Sequence, residues 1–157
     1  MKKINIFNLD IGYQEKKYVN ECLNSGWLSF KGKFVKKFEN EFEKLIGKGF
    51  ALTTSNGTTA LELSLSSLGI QTGDEVIISD FSFAAPINAI LSVGAKPVIV
   101  DISKETWCID TNKILNSITK KTKAILVVHT YGIISNIDKI KRISKKKNLY
   151  LINQFIN

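Results

Sequence analysis

From residue 50 onward the chain alternates short apolar runs with stretches of helical period, and that alternation leaves few folds open. Residues 50–54, 76–79, 97–100, 123–128 and 149–152 read as buried strands. Between them, residues 58–68, 86–93, 111–118 and 136–147 read as helices, with Leu61, Leu65 and Leu68 inward in the first and Gly69 ending it. Pro86 suits a first helical turn. Repeated strand–helix units of this kind predict an α/β fold, a mostly parallel sheet with helices on both faces.

Upstream, residues 14–25 have helical character and stop at Gly26. Residues 33–46 place Phe34, Phe38, Phe42 and Leu45 on a single stripe, with Gly47 beyond it, and these aromatics are expected to be core. A chain of 157 residues has room for one core, so the expectation is a single incomplete domain, 1–157. An N-terminal arm and helices fill 1–48, and the α/β portion fills 49–157.

Composition sets limits on function. With 44% apolar and 23% charged residues, neither a disordered chain nor a membrane protein is expected. Residues 84–100, the most apolar stretch, are interrupted by Asn88, Lys96 and two prolines. Asn5, Asn8 and Asp10 break up any signal-peptide core. Cys22 and Cys108 lack a neighbouring ligand pattern and read as free thiols of a cytoplasmic protein. The net charge of +8 would attract any anion, but only one arginine is present and no basic stretch is interleaved with aromatics. Nucleic acid is therefore not the expected partner, and the lysines read as solvated helix faces.

The segment Thr53-Thr54-Ser55-Asn56-Gly57-Thr58-Thr59-Ala60-Leu61 is a polar turn between a strand-like run and a helix. The free N–H groups and positive end of that helix favour an anion, with Gly57 allowing close approach and Ser55, Thr58 and Thr59 adding hydroxyls. A plain N-cap cluster has the same composition. In an open parallel sheet ligands gather beyond the carboxyl ends of the strands. Thr54 to Thr59, Asp80 to Phe83, Asp101, His129-Thr130-Tyr131-Gly132 and Asn153 to Asn157 all fall there.

These segments occur in an order that resembles the DegT/StrS family of sugar aminotransferases. The resemblance rests on Ser25-Gly26-Trp27-Leu28 with Gly32-Lys33 and Phe38-Glu39, then Asn56-Gly57-Thr58-Thr59-Ala60-Leu61, then Gly73-Asp74-Glu75-Val76-Ile77. It continues through Phe81-Ser82-Phe83-Ala84-Ala85-Pro86-Ile87-Asn88, Gly94-Ala95-Lys96-Pro97-Val98 with Asp101, Thr122-Lys123-Ala124-Ile125 and Val128-His129-Thr130-Tyr131-Gly132. It implies the N-terminal portion of the large domain of a fold-type I, aspartate aminotransferase-like enzyme that uses pyridoxal 5'-phosphate. It also implies that intact relatives move an amino group from glutamate to a keto nucleotide-sugar and act as homodimers. By position in the motifs, Gly57, Thr58 and Thr59 would hold the cofactor phosphate, with both threonines using backbone amide and hydroxyl. Phe83 would stack on the pyridine ring. Gly12, Trp27 and Lys33 would border the nucleotide-sugar or dimer side, and His129, Asp74 and Glu75 take no chemical role.

Two departures from the family pattern stand out. Where the family carries an Asp that pairs with the pyridine nitrogen, this chain has Gln154 within Asn153-Gln154-Phe155-Ile156-Asn157. A carboxamide supplies no counter-charge, while Asn157, on the family's Gln or His position, retains hydrogen-bonding capacity. The lysine that carries the cofactor in the family lies beyond position 157, as does the small C-terminal domain, and no lysine here aligns with it. The expectation is a catalytically incompetent N-terminal fragment with exposed apolar faces, produced by a frameshift or truncation shortly before Asn153. Reading the downstream DNA in other frames should then recover the Asp motif and a later lysine. The competing expectation is a non-catalytic relative that binds pyridoxal phosphate or a nucleotide sugar as a regulator.

Overall fold

The computed structural model describes residues 9–155. Contacts group them into two compact units, one ending at Thr53 and the other beginning at Thr54.

The first unit contains α1 (Tyr13–Ser25) and α2 (Lys33–Ile46). Glu15 accepts the Gly12 N–H at 2.8 Å at the start of α1, and Gly26 and Gly47 end the two helices in the left-handed conformation. Neither helix has a buried residue. The stripe expected as core is therefore exposed: Phe38, Phe42 and Leu45 show 57%, 42% and 81% of their surface. Periodicity identifies the apolar face of a helix but not what covers it.

Residues 50–54 form no strand, contrary to expectation. The reason lies in α2, whose carboxylates take the hydrogen bonds that a neighbouring strand would otherwise take. Glu43 accepts the Ala51 N–H at 3.0 Å, and Glu39 accepts both the N–H and the hydroxyl of Thr53 at 2.9 Å. Those bonds hold the Glu39 carboxyl below its usual range, the backbone N–H of Thr53 contributing most.

The second unit is the α/β body. In chain order it contains α3 (Gly57–Ser67), β1 (Glu75–Ser79), α4 (Ala84–Ser92), β2 (Lys96–Val100), α5 (Thr111–Ile114), β3 (Thr122–His129), α6 (Ile137–Lys147) and β4 (Tyr150–Phe155). The strands pair in parallel in the order β2-β1-β3-β4. Side chains alternate across the sheet. Val76, Ile78, Ala124, Leu126, Val128 and Ile152 pack with Leu61, Leu65, Ala89 and Ile90 of α3 and α4. Ile77, Ile125 and Val127 face the other way, onto Ile114, Ile140 and Ile143 of α5 and α6. Fully buried residues such as Leu65, Ile90 and Leu126 each stabilise this body by about 1.5–3 kcal/mol through removal from water.

The β-strand order sets where a ligand belongs. From β1 the chain crosses through α4 to β2 on one side, then returns past β1 to β3 and continues through α6 to β4 on the other. The connections therefore diverge between β1 and β3. At such a switch point the loops leaving the carboxyl ends open a crevice.

Candidate functional site

A cavity of about 210 Å³ lies at that switch point, lined by Phe81, Ser82 and Phe83 from the end of β1 and by Val128, Thr130 and Tyr131 from β3 and its exit. Phe83 precedes α4 as its N-cap and is 75% exposed, so its ring is not part of the core. Gln154 pairs in register with Val128. It also lies two residues beyond Ile152, which packs on the α3 and α4 side, so its carboxamide leaves β4 on that same face. Three buried polar atoms here have no hydrogen-bond partner: Ser82 Oγ, Thr130 Oγ1 and Gln154 Oε1. Unpaired buried polar atoms of this kind are costly unless a water or a ligand meets them. Asn157 lies outside the described residues.

The start of α3 comes to the same edge of the sheet. The short link after Ser67 brings the end of this helix to the start of β1, and Leu61 and Leu65 lie against Val76 and Ile78. The helix thus runs antiparallel to the strands, with its N-terminus at their carboxyl ends. Asn56 caps it: Oδ1 accepts the Thr59 N–H at 2.9 Å and lies 3.2 Å from the Thr59 hydroxyl. In the first turn, the amides of Gly57 and Thr58 have no acceptor among the described residues. Gly57 is exposed, and a Cβ placed on it would meet nothing within 4 Å.

His129 follows Val128 and projects from the opposite face of β3. It is buried, its Nδ1 accepts the Ser135 N–H at 3.1 Å, and its ring stacks on Phe155 with centroids 4.3 Å apart. Burial pushes its pKa down, partly opposed by a hydrogen bond with Asn153. Asp101, at the end of β2, is paired with Lys113, whose hydrogen bond holds its carboxyl low. No group of three or more potential metal ligands occurs among the described residues. Sequence reasoning did not single out Ser82 or Thr130, although both lie inside quoted motifs. Nor did it single out Trp107, for which no sequence signal existed.

A parallel, doubly wound sheet with a crevice at its switch point and a helix N-terminus beside it defines a class of α/β proteins that bind phosphorylated ligands. The chain belongs to the DegT/DnrJ/EryC1/StrS aminotransferase family, whose model matches residues 9–154. It is 45% identical to a GDP-perosamine synthase of Escherichia coli O157:H7, over 97% of this chain and 42% of that protein. It is 39% identical to the spore coat polysaccharide biosynthesis protein SpsC of Bacillus subtilis, over 90% of this chain and 36% of that one. The crystal structure of NtdA from Bacillus subtilis with bound PMP superposes with a TM-score of 0.84 at 38% identity, covering 88% of this chain and 32% of NtdA. The chain thus spans about two fifths of the length of such curated relatives. The fold is that of fold-type I pyridoxal-phosphate aminotransferases. No helix among the described residues is long and apolar enough to cross a membrane.

Proposed function

We propose that this chain supplies the phosphate-binding and ring-binding part of a cytoplasmic, homodimeric pyridoxal-phosphate aminotransferase. The enzyme's reaction would be amino transfer from glutamate to a keto nucleotide-sugar in polysaccharide precursor synthesis. The observation that carries this reading is the meeting, at one sheet edge, of two unpaired helix amides with the exposed ring of Phe83 and the unpartnered Gln154 Oε1.

The residues present fit the cofactor. The amides of Gly57 and Thr58 and the hydroxyls of Thr58 and Thr59 would hold its phosphate at the positive end of α3. The exposed ring of Phe83 would cover its pyridine face, and the carboxamide of Gln154 would meet the ring nitrogen. Bound pyridoxal phosphate supplies an electron sink that lets an amino group move between carbons. Gln154 presents a neutral group to that nitrogen where a carboxylate would hold a proton on it. Asn157 would add a further hydrogen bond.

Calorimetric titration with pyridoxamine phosphate tests the proposal, because this ligand lacks the aldehyde that would label lysines indiscriminately. Saturable binding that disappears for pyridoxamine, which lacks the phosphate, is the expected result. Equal binding of the two, or of neither, would exclude the phosphate site. A second reading, a cofactor-binding relative without catalysis, is favoured specifically by the uncharged Gln154. It predicts the same binding but no lysine fixed by borohydride after incubation of pyridoxal phosphate with the product of the whole gene, where the first reading predicts one.

A further inference from the structure

Three neighbouring strands each deliver one aromatic ring from the loop at their carboxyl end. Phe81 follows β1, Trp107 lies in the loop after β2, Tyr131 follows β3, and these strands are adjacent in the order β2-β1-β3. Phe81 meets Trp107 edge-on with centroids 5.1 Å apart, and Tyr131 lies 6.4 Å from Phe81 on its other flank. Phe81 is half-buried, whereas Trp107 and Tyr131 leave 52% and 81% of their surface in water.

Both outer rings sit on backbone that bulky L-residues rarely adopt: φ is 59° at Trp107 and 50° at Tyr131. The surrounding structure enforces this. The Trp107 N–H reaches the Ser103 carbonyl at 2.8 Å, the Ser103 N–H reaches the Cys108 carbonyl at 2.9 Å, and an Ile102–Ile109 bridge closes the loop. Tyr131 is held between Thr130 and Gly132 in a turn closed by Ile133 N–H to the Thr130 carbonyl at 2.9 Å. Enforced strain thus holds both rings that flank Phe81, and strain of this kind clusters at ligand sites.

Phe81 and Tyr131 line the switch-point crevice together with Ser82 and Thr130. Thr130 is only 8% exposed, and its Oγ1 has no partner. A ligand suited to these walls needs an apolar ring face beside polar groups that hydrogen-bond. A pyranose has both: C–H groups for the aromatic rings and hydroxyls for Ser82 and Thr130.

We propose that Phe81, Trp107 and Tyr131 form the wall on which the hexose ring of a nucleotide-sugar substrate rests, with Ser82 and Thr130 pairing with its hydroxyls. This rests on the reading of the crevice as a sugar aminotransferase site and names the residues that contact the sugar.

The test compares the 157-residue chain with its Trp107→Phe variant, so that the Trp107 signal is read by difference against the constant Trp27. GDP-mannose should change the Trp107 fluorescence saturably, and GDP at the same concentrations should not. Tyr131→Gly removes the ring while relieving the backbone, so folding is preserved, and the affinity for GDP-mannose should drop by roughly tenfold. Tyr131→Phe should keep it. An equal response to GDP and GDP-mannose, or unchanged affinity in Tyr131→Gly, would overturn the proposal. Pyridoxamine phosphate titrated into the same sample separates the two levels of the argument. If it binds while GDP-mannose leaves Trp107 unaffected, the sugar wall falls and the cofactor site stands; if neither binds, both fall.

Discussion

The side-chain oxygen of Asn56 accepts the backbone N–H of Thr59 at 2.9 Å and so divides the first turn of α3. Thr59 has its amide satisfied internally, while those of Gly57 and Thr58 have no acceptor among the described residues. Asn56→Ala should cost about 1 kcal/mol of stability through loss of the cap, read as a lower urea midpoint with unchanged slope.

Gly57→Pro separates ligand binding from folding at the same turn. Proline is accepted at the first helical position, and the extended Asn56 before it suits an X-Pro step, so the chain should fold as before. The change removes one of the two N–H groups proposed to hold the phosphate. Affinity for pyridoxamine phosphate, measured by calorimetry, should fall about tenfold or more; an unchanged value would place the phosphate elsewhere.

Gln154→Asp introduces a carboxylate into a largely apolar position, so the free chain should lose about 1–3 kcal/mol. Pyridoxamine phosphate should restore more stability to this variant than to the parent. The absorbance of the bound ring should also titrate at higher pH in the variant, because the carboxylate favours the protonated nitrogen. Identical ring titration in the two proteins would separate Gln154 from the cofactor nitrogen.

His129 makes stability depend on pH in a definite direction. Its folded pKa lies below the ordinary 6.5 because burial, and the use of Nδ1 as an acceptor, favour the neutral ring. The unfolded chain therefore binds the proton first. The stabilisation is complete above pH 6.5 and is lost as pH falls from there through the folded pKa. Urea midpoints should decline over that window, and His129→Gln should flatten the decline.

The central strands β1 and β3 were legible because each is buried on both faces and reads as an apolar run. Val76 to Ile78 and Ala124 to Val128 could hardly be anything else in a chain with helices between them. Residues 50–54 show the same local signal, yet form no strand, because sequence does not say that Glu39 and Glu43 will take the N–H groups of Thr53 and Ala51. The stripe of Phe38, Phe42 and Leu45 was legible as a face, but its exposure was not. At the site, the capped helix start was readable from Asn56 to Thr59. The strained backbone of Trp107 and Tyr131 was not, since neither residue type favours it and tertiary hydrogen bonds impose it.

Core and stripe should respond differently to the same chemistry. Leu126→Ala empties a fully buried position and should cost about 2–5 kcal/mol, whereas Phe38→Ala on the exposed stripe should cost well under half of that. Urea denaturation of both variants makes the comparison; equal losses would mean that α2 is covered in solution.

The most direct test of the central claim is amide NMR of the 157-residue chain during titration with pyridoxamine phosphate. The Gly57 and Thr58 amide resonances should move saturably with that ligand and stay in place with pyridoxamine. If they do not move, or move equally with both ligands, the N-terminus of α3 does not hold the cofactor phosphate.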